Sequence, residues 1–362
     1  MDPVPSRGRP TVYTVGQRAG VSVATVSRVI SHPERVREET RRRVHEAIAE
    51  LDYVPHSAAA SLARRRFNAH GLVLPELSGT YYSDLLMGYE SVASAAGQSV
   101  LLLIVDDRPD IEVSLLRLAA RVDGIVLMGG VEVSASAVRA VTHKIPVIGI
   151  SGAVHDIENF VTQSSGSVTA LTRHLVHDHG RRRLVFVGDP SLASDVQDRY
   201  DAFCSVAADL GEPAQPVRVR YEESDGRAVA AAYLRGEIDA DALVCANDEL
   251  ALGILDHLSR AGVDLPGALA VTGFDDVPSA RLVRPALTTV AQPVRQLAAQ
   301  TAIRMCELTE DAARGTHQPP ADPADQHQLP TTVVLRQSCG CTTDPTPTPD
   351  PAPSAEPHPE EL

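Results

Sequence analysis

Between Ser22 and Arg28 the chain reads Ser-Val-Ala-Thr-Val-Ser-Arg, a run of small apolar, hydroxyl and guanidinium side chains. Val23, Ala24, Ser27 and Arg28 fall at i, i+1, i+4 and i+5 of a helix. Small apolar groups suit the methyl of thymine, and a guanidinium suits O6 and N7 of guanine. The hydroxyls of Ser22, Thr25 and Ser27 suit phosphate oxygens, which set register without reading sequence. Capping and solvation compete for those hydroxyls, since Ser22 also stands where an N-cap would begin the helix. Periodicity leaves Val23 open, because Val26, three positions on, faces the core.

Two short helices must carry these residues. Over Tyr13–Ile30, Val15 and Ala19 lie four apart, and Val26, Val29 and Ile30 repeat at helical spacing. Gly20 supplies a permissive backbone for a tight corner at Ala19-Gly20-Val21. This is a helix-turn-helix layout, whose second helix enters the major groove. Val44, Ile48 and Leu51 mark a third helix that closes the unit, and Pro55 ends it. Ser57–Arg66 (SAAASLARRR) is alanine-rich and amphipathic but too short for a stable isolated helix. Arg41–Arg43 read as a mostly solvated face, and residues 1–10 as a flexible arm offering Arg7 and Arg9 to phosphates.

The charge is divided to match. Residues 1–66 hold 12 Arg against 7 acidic residues, a balance of +5, while the remainder holds 21 basic against 40 acidic, a balance of −19. A basic end on an acidic body is the asymmetry expected when one end meets phosphate. From His70 onward, short apolar runs alternate with helical patterns. Strands are expected at Gly71–Leu74, Val100–Val105, Gly124–Met128 and Pro146–Ile150. A second set comprises Leu184–Val187, Val217–Tyr221, Ala242–Cys245 and Ala270–Phe274. Helices include Tyr82–Ala96, Asp195–Leu210 and Asp248–Ala261. Such alternation implies parallel sheets covered by helices, in two similar α/β lobes with a ligand cleft at the strands' carboxyl ends. Thr309–Pro330 reads as a long solvated loop before a final strand near Thr332–Leu335. Residues 342–362, with seven prolines and five acidic residues, read as a disordered tail.

Three consecutive segments, GVSVATVSRVI, VREETRRRV (Val36–Val44) and LDYVPHSAAASLARR (Leu51–Arg65), closely resemble the DNA-binding headpiece of the lac-repressor (LacI/GalR) family of transcriptional regulators. Less densely, the likeness runs on to about Cys341 through YYSDLLMGYE, DRYDAF, CANDELALG, GFDD and PALTTVAQP. The resemblance implies a fold: an α-helical helix-turn-helix headpiece plus a two-lobed, parallel-sheet α/β effector domain of the type I periplasmic-binding-protein kind. It implies residues 1–54 as headpiece, 55–68 as hinge helix and linker, and 69–341 as effector-binding and dimerisation domain, before the tail at 342–362. The N-lobe would take about 69–161 and 292–309, the C-lobe about 162–291 and 330–341.

The same resemblance places Val23, Ala24 and Arg28 as principal base readers, with Ser22, Thr25 and Ser27 beside them. It puts Leu62 where a hinge leucine wedges into the minor groove, with Ala63 adjoining. Arg37 departs from a usual capping residue at the start of the third helix. In the body, Arg199, Asn247 and Asp275 fall on polar effector contacts, Tyr221 on an aromatic stacking position, and Tyr82 within a matching segment. Neutral polyols need such convergent donors and acceptors plus a flat apolar face. At the first crossover Gln163-Ser164 replaces a frequent Asp-Asn, and Gly180-Arg181 replaces a frequent Gly-His.

The implied protein is a homodimeric repressor on a pseudo-palindromic double-stranded operator, controlled by a small molecule, most simply a sugar or related metabolite. The N-terminus lacks the apolar core of an export signal and no run reaches a membrane span, so a cytoplasmic protein without membrane contact is expected. No cofactor or catalytic residue is expected, for no dinucleotide fingerprint, phosphate-binding loop or nucleophile elbow occurs. No metal site is expected either. The five cysteines are scattered, Cys339-Gly340-Cys341 is one lone pair, and His174, His177 and His179 are placed on a surface helix. The competing reading is a small-solute-binding protein with a non-functional DNA headpiece.

Overall fold

A computed structural model describes residues 10–31, 33–53, 66–105, 109–152, 154, 156–211, 215–316 and 326–342. Arg7, Arg9, Arg64, Arg65, the hinge positions Leu62 and Ala63, and the tail beyond 342 lie outside these. The chain divides into two compact units, residues 1–68 and 69–362.

In the first unit, α1 (Val12–Ala19), α2 (Val23–Ser31) and α3 (Glu38–Glu50) enclose one small core. Val15, Ala19, Val26, Val29, Val44 and Ala47 are buried together, with Ile48 and Leu51 against them. Ile30 is not part of this core: it is 39% exposed, because the α2 stripe turns inward at Val26 and Val29. Thr11 opens α1 with a reciprocal capping box, its hydroxyl accepting the Thr14 N–H and its own N–H donating to Thr14 Oγ1 at 2.8 Å. Gly20 ends α1 in the left-handed region (φ 65°), as the corner requires. Arg37 makes no side-chain cap for α3, whose first turn instead holds Glu38 and Glu39 against the helix dipole. Arg41 and Arg42 pair with Glu38 and Glu46 on the same helix, and Arg18 pairs with Glu50 across the unit. Thr11→Ala is expected to cost the headpiece about 1 kcal/mol, read as faster amide exchange confined to residues 10–53.

The second unit holds two lobes. A six-stranded parallel sheet, order β10-β5-β4-β3-β1-β2, forms the first. Its strands are β1 (Ala69–Leu74), β2 (Ser99–Ile104), β3 (Gly124–Met128), β4 (Val147–Ile150), β5 (Glu158–Gln163) and β10 (Gln326–Pro330). Alternation along β1 sends Leu72 and Leu74 to one face, under α4 (Gly79–Ala95) and α11 (Val294–Arg314). Val73 goes to the other, under α5 (Ile111–Ala119) and α6 (Ala135–Thr142). Both faces being covered explains why Gly71–Leu74 of β1, β3 and β4 read as unbroken apolar runs.

The other lobe is a three-stranded parallel sheet, β6 (Leu184–Val187), β7 (Ala242–Cys245) and β8 (Ala270–Thr272), ordered β6-β7-β8. Helices α7 (Ser165–His177), α8 (Ser194–Ala207), α9 (Glu223–Leu234) and α10 (Asp248–Arg260) belong to it. A two-stranded antiparallel ribbon joins β9 (Thr289–Ala291) to β11 (Thr332–Val334). Val217–Tyr221 is not a full strand: Val217 makes a single parallel bridge to Val187.

Gln326–Pro330, inside the expected loop, is the edge strand β10, pairing with β5 from Gln326↔Asn159 to Pro330↔Gln163. Its hold is tertiary. The His327 ring stacks on Phe160 at 4.3 Å, its Nε2 meets Glu158 at 2.8 Å, and Leu329 is buried. The chain crosses between lobes after β5, at β9–α11 and at β10–β11, and hydrogen bonds tie the crossings together. Thr162 donates to Gln292 at 2.7 Å, and Thr331 donates to the Gln163 carbonyl at 2.9 Å. Among the described residues no helix is long and apolar enough to cross a membrane.

Candidate functional sites

On the first unit, α2 presents one face to solvent. Ala24, Ser27, Arg28 and Ser22 are exposed, Val23 and Thr25 are half-buried, and Val26 and Val29 point inward. Ser22 Oγ accepts the Thr25 N–H at 3.2 Å and lies 2.9 Å from Thr25 Oγ1. Ser22 is therefore an N-cap first, and both hydroxyls are held at the helix start, where backbone N–H groups favour an anion. The expected base readers and phosphate contacts of α2 thus share one accessible surface.

In the second unit, Tyr82, Arg199, Tyr221, Asn247 and Asp275 all line one cleft of about 1190 Å³ at the carboxyl ends of the strands. Arg199, from α8, is buried and held from three sides. Its Nη1 donates to the Ala246 carbonyl at 2.6 Å, Nη2 donates to Asp195 at 2.5 Å, and the guanidinium lies 3.8 Å from the centre of the Phe274 ring. Its Nε has no hydrogen-bond partner among the described residues. Asp275 follows β8 at φ 126°, a conformation side chains rarely adopt, and its N–H is fixed to the Val290 carbonyl at 2.8 Å. Gln292 donates to its Oδ1 at 2.6 Å.

Asn247 has mostly structural work. Its Oδ1 caps α10 through the Leu250 N–H at 3.1 Å, and its Nδ2 donates to the Tyr221 carbonyl at 2.8 Å. Tyr221 is anchored by its hydroxyl on the Asp189 carbonyl at 2.6 Å, with its ring along the cleft wall. Tyr82 donates to Glu76 at 3.2 Å and stands edge-on to Tyr81. Burial raises the Tyr82 and Tyr221 hydroxyls far above the ordinary phenol range, so both remain neutral donors.

Residue-type reasoning did not single out Tyr81, Ser151 or Asp195, which complete the wall. Tyr81 donates to Ser151 at 2.6 Å. The spacing Asp195/Arg199, an i, i+4 pair, was the available signal for Asp195. Gln163 and Ser164 do not line the cleft; the first crossover reaches it through Thr162, Gln292 and Asp275 in sequence. Seven carboxyl groups against three guanidinium groups line the space, an acidic balance.

Burial pushes the Asp275 carboxyl up, to about 8, against the opposing pull of Arg199. The folded state then holds a proton that the unfolded chain, near 3.8, has lost, so stability falls as pH rises from about 4 to about 8. Asp248, raised to about 7 by burial, adds a slope of the same sign. Asp275→Asn should therefore flatten the fall in melting temperature between pH 5 and 8 without abolishing it; an unchanged slope would show that Asp275 is not the source.

His174, His177 and His179 do not share a surface helix face. His177 is exposed and His179 lies beyond the end of α7, while His174 turns inward to within 3.6 Å of Cys339 and 3.4 Å of Cys341. Arg181 donates to the Pro266 and Gly267 carbonyls and clips that turn to the loop before β8.

Residues 11–56 match the pattern of bacterial regulatory proteins of the lacI family, and residues 172–339 that of a periplasmic binding protein-like domain. The ribose operon repressor of Halalkalibacterium halodurans is 27% identical over 91% of this chain and 96% of its own. Catabolite control protein A of Staphylococcus aureus is 28% identical over 80% of this chain and 89% of its own. Among solved structures, the lac repressor dimer bound to operator and an anti-inducer superimposes with a TM-score of 0.76 at 24% identity, covering 92% of this chain and 99% of that one. That last likeness is one of fold. The capped helix pair, the two-lobed parallel-sheet body and both sequence matches agree: the chain joins a lacI-family regulatory headpiece to a periplasmic-binding-protein-like body.

Proposed function

We propose that this chain is a sequence-specific DNA-binding transcription regulator, a repressor acting in the cytoplasm as a homodimer on a pseudo-palindromic operator, with its DNA affinity set by a small neutral polyhydroxylated effector. The observation that carries the reading is the joining, in one chain, of an exposed α2 reading face to a cleft lined by all five expected effector residues. The cleft has the character of a binding site rather than a reacting one: it offers a held guanidinium, carboxylate acceptors and aromatic walls. Its acidic balance disfavours phosphorylated or carboxylated ligands. A solved relative from Enterococcus faecalis, 26% identical with a TM-score of 0.65, carries bound ribose, which fits a neutral sugar here.

Asp275 reports on an occupant, and Gln292 and Thr162 link it to two lobe crossings. Binding energy spent at Asp275 therefore biases the hinge between the lobes. By linkage, an effector that changes operator affinity by some factor must have its own affinity changed by the same factor when operator is bound. Calorimetric titration of the full chain with neutral monosaccharides, ribose first, and with their phosphates is the direct test. Neutral sugars should bind in a one-to-one ratio with at least tenfold preference over their phosphates; tighter binding of the phosphates would overturn the assigned ligand class. Recovery of the sugar unchanged is expected, and its turnover would favour an enzyme.

A further inference from the structure

Away from both sites, four metal-ligating side chains meet at one corner of the C-lobe. His174 stands in the last turn of α7 and His179 just beyond its end, while Cys339 and Cys341 arrive from the far end of the chain. Their donor atoms all lie within 4.8 Å of one another. His174 Nε2 and His179 Nε2 are 3.0 Å apart, and three nitrogen–sulfur separations are 3.4, 3.5 and 3.6 Å. Zinc bonds of about 2.0–2.1 Å to nitrogen and about 2.3 Å to sulfur give tetrahedral edges of about 3.3 Å between nitrogens and about 3.5 Å between nitrogen and sulfur. The three nitrogen–sulfur separations fit that tetrahedron, while the nitrogen–nitrogen separation is shorter than its edge. Two imidazole nitrogens and two thiols thus converge on one point, with no carboxylate among them.

The surroundings fix the four groups. Asp178 Oδ2 lies 2.6 Å from His174 Nδ1, so Nδ1 carries the proton and Nε2 presents its lone pair to the thiols. Cys339 is fully buried, and its neighbour Ser338 is locked to the β8 region, donating to the Val271 carbonyl at 2.5 Å and accepting the Thr288 N–H at 2.8 Å. Between the cysteines, Gly340 sits at φ 118°, and a Cβ there would lie 2.7 Å from His179 Nδ1. Only glycine allows the chain to wrap Cys341 around to the same centre.

We propose that His174, His179, Cys339 and Cys341 form a structural zinc site, closed by four protein ligands with no open position for chemistry. Soft thiolates with imidazoles in a tetrahedral S₂N₂ set select zinc over hard cations. Binding releases the two thiol protons to solvent, and the two thiolates neutralise the divalent charge. The site clips Cys339, 165 positions further along the chain, to His174 at the end of α7, and so closes a long loop whose two ends lie in the C-lobe. It is independent of the regulatory function proposed above.

The test measures metal by mass spectrometry on the full chain, purified under reductant with zinc and then dialysed. One zinc per chain is expected. Chelation should lower the melting temperature, and cobalt refilling should give a thiolate-to-metal charge-transfer band with intense tetrahedral visible bands. Cys341→Ser and His179→Gln, both at partly exposed positions, should each weaken binding by more than about a hundredfold, whereas Cys204→Ser and His177→Ala should keep the metal. Should a variant fail to fold, the unmodified chain decides the matter: zinc should protect two thiols from a thiol reagent, and equal labelling with and without zinc would count against the site. Substoichiometric zinc equal to that of Cys341→Ser, a cobalt spectrum without the charge-transfer band, or a Cys339–Cys341 disulfide persisting under reductant would each overturn the site.

Discussion

Arg28→Ala should lower affinity for the selected operator by at least roughly 30-fold, the loss from each of two half-sites of one bidentate contact worth about 1–3 kcal/mol. Nonspecific duplex affinity should change far less, and one base pair in each half-site should lose its preference. On α2, Val26 and Val29 occupy the inner stripe, which forces Arg28 outward beside Ala24 and Ser27. An exposed arginine outside the core contributes little to folding, so the variant should melt within about 0.5 kcal/mol of the parent. Arg41 and Arg42 are paired with Glu38 and Glu46, so they are poor substitutes as readers. Equal losses on operator and on random duplex would make Arg28 a phosphate contact instead.

Arg199→Ala should abolish the effector response. Its guanidinium is held by the Ala246 carbonyl, Asp195 and the Phe274 ring, and its Nε is left without a partner among the described residues. A charge-assisted hydrogen bond from that nitrogen to a ligand is worth about 1.5–3 kcal/mol, or roughly 10- to 100-fold in effector affinity. The truncation also strands the half-buried Asp195 carboxylate, which costs about 1–3 kcal/mol of stability. Arg199→Lys separates the two effects: it keeps a positive charge near Asp195 and loses the planar fork. The lysine variant should fold nearly as well as the parent, bind sugar at least tenfold more weakly, and still recognise operator. Unchanged sugar affinity in a folded Arg199→Lys chain would move the effector site elsewhere.

What the sequence made legible follows from how local each signal is. The helix-turn-helix corner rests on Gly20, Ser22 and apolar spacing within twenty residues, and its geometry came out as expected save for Ile30. Buried parallel strands announced themselves as apolar runs. β10 did not, because Gln326, His327 and Gln328 are polar and become a strand only through β5, Phe160 and Glu158. Val217–Tyr221 failed in the opposite sense, with β propensity but only one bridge to hold it. The five expected cleft residues came from resemblance, and the structure gathers them, yet it gives Asn247 a capping duty that spacing alone could not reveal. His174, His179, Cys339 and Cys341 stayed hidden because a tertiary turn brings together residues 160 to 167 positions apart.

The central claim is that α2 reads DNA sequence, and selection of bound duplexes from a random library by the full chain at fixed, moderate salt tests it most directly. The predicted result is a consensus of two inverted half-sites about one helical turn apart, with one position per half-site relaxed when Arg28→Ala is used. A pool that remains random with the parent chain, both with and without bound sugar, would contradict it and leave a solute-binding protein carrying a silent headpiece.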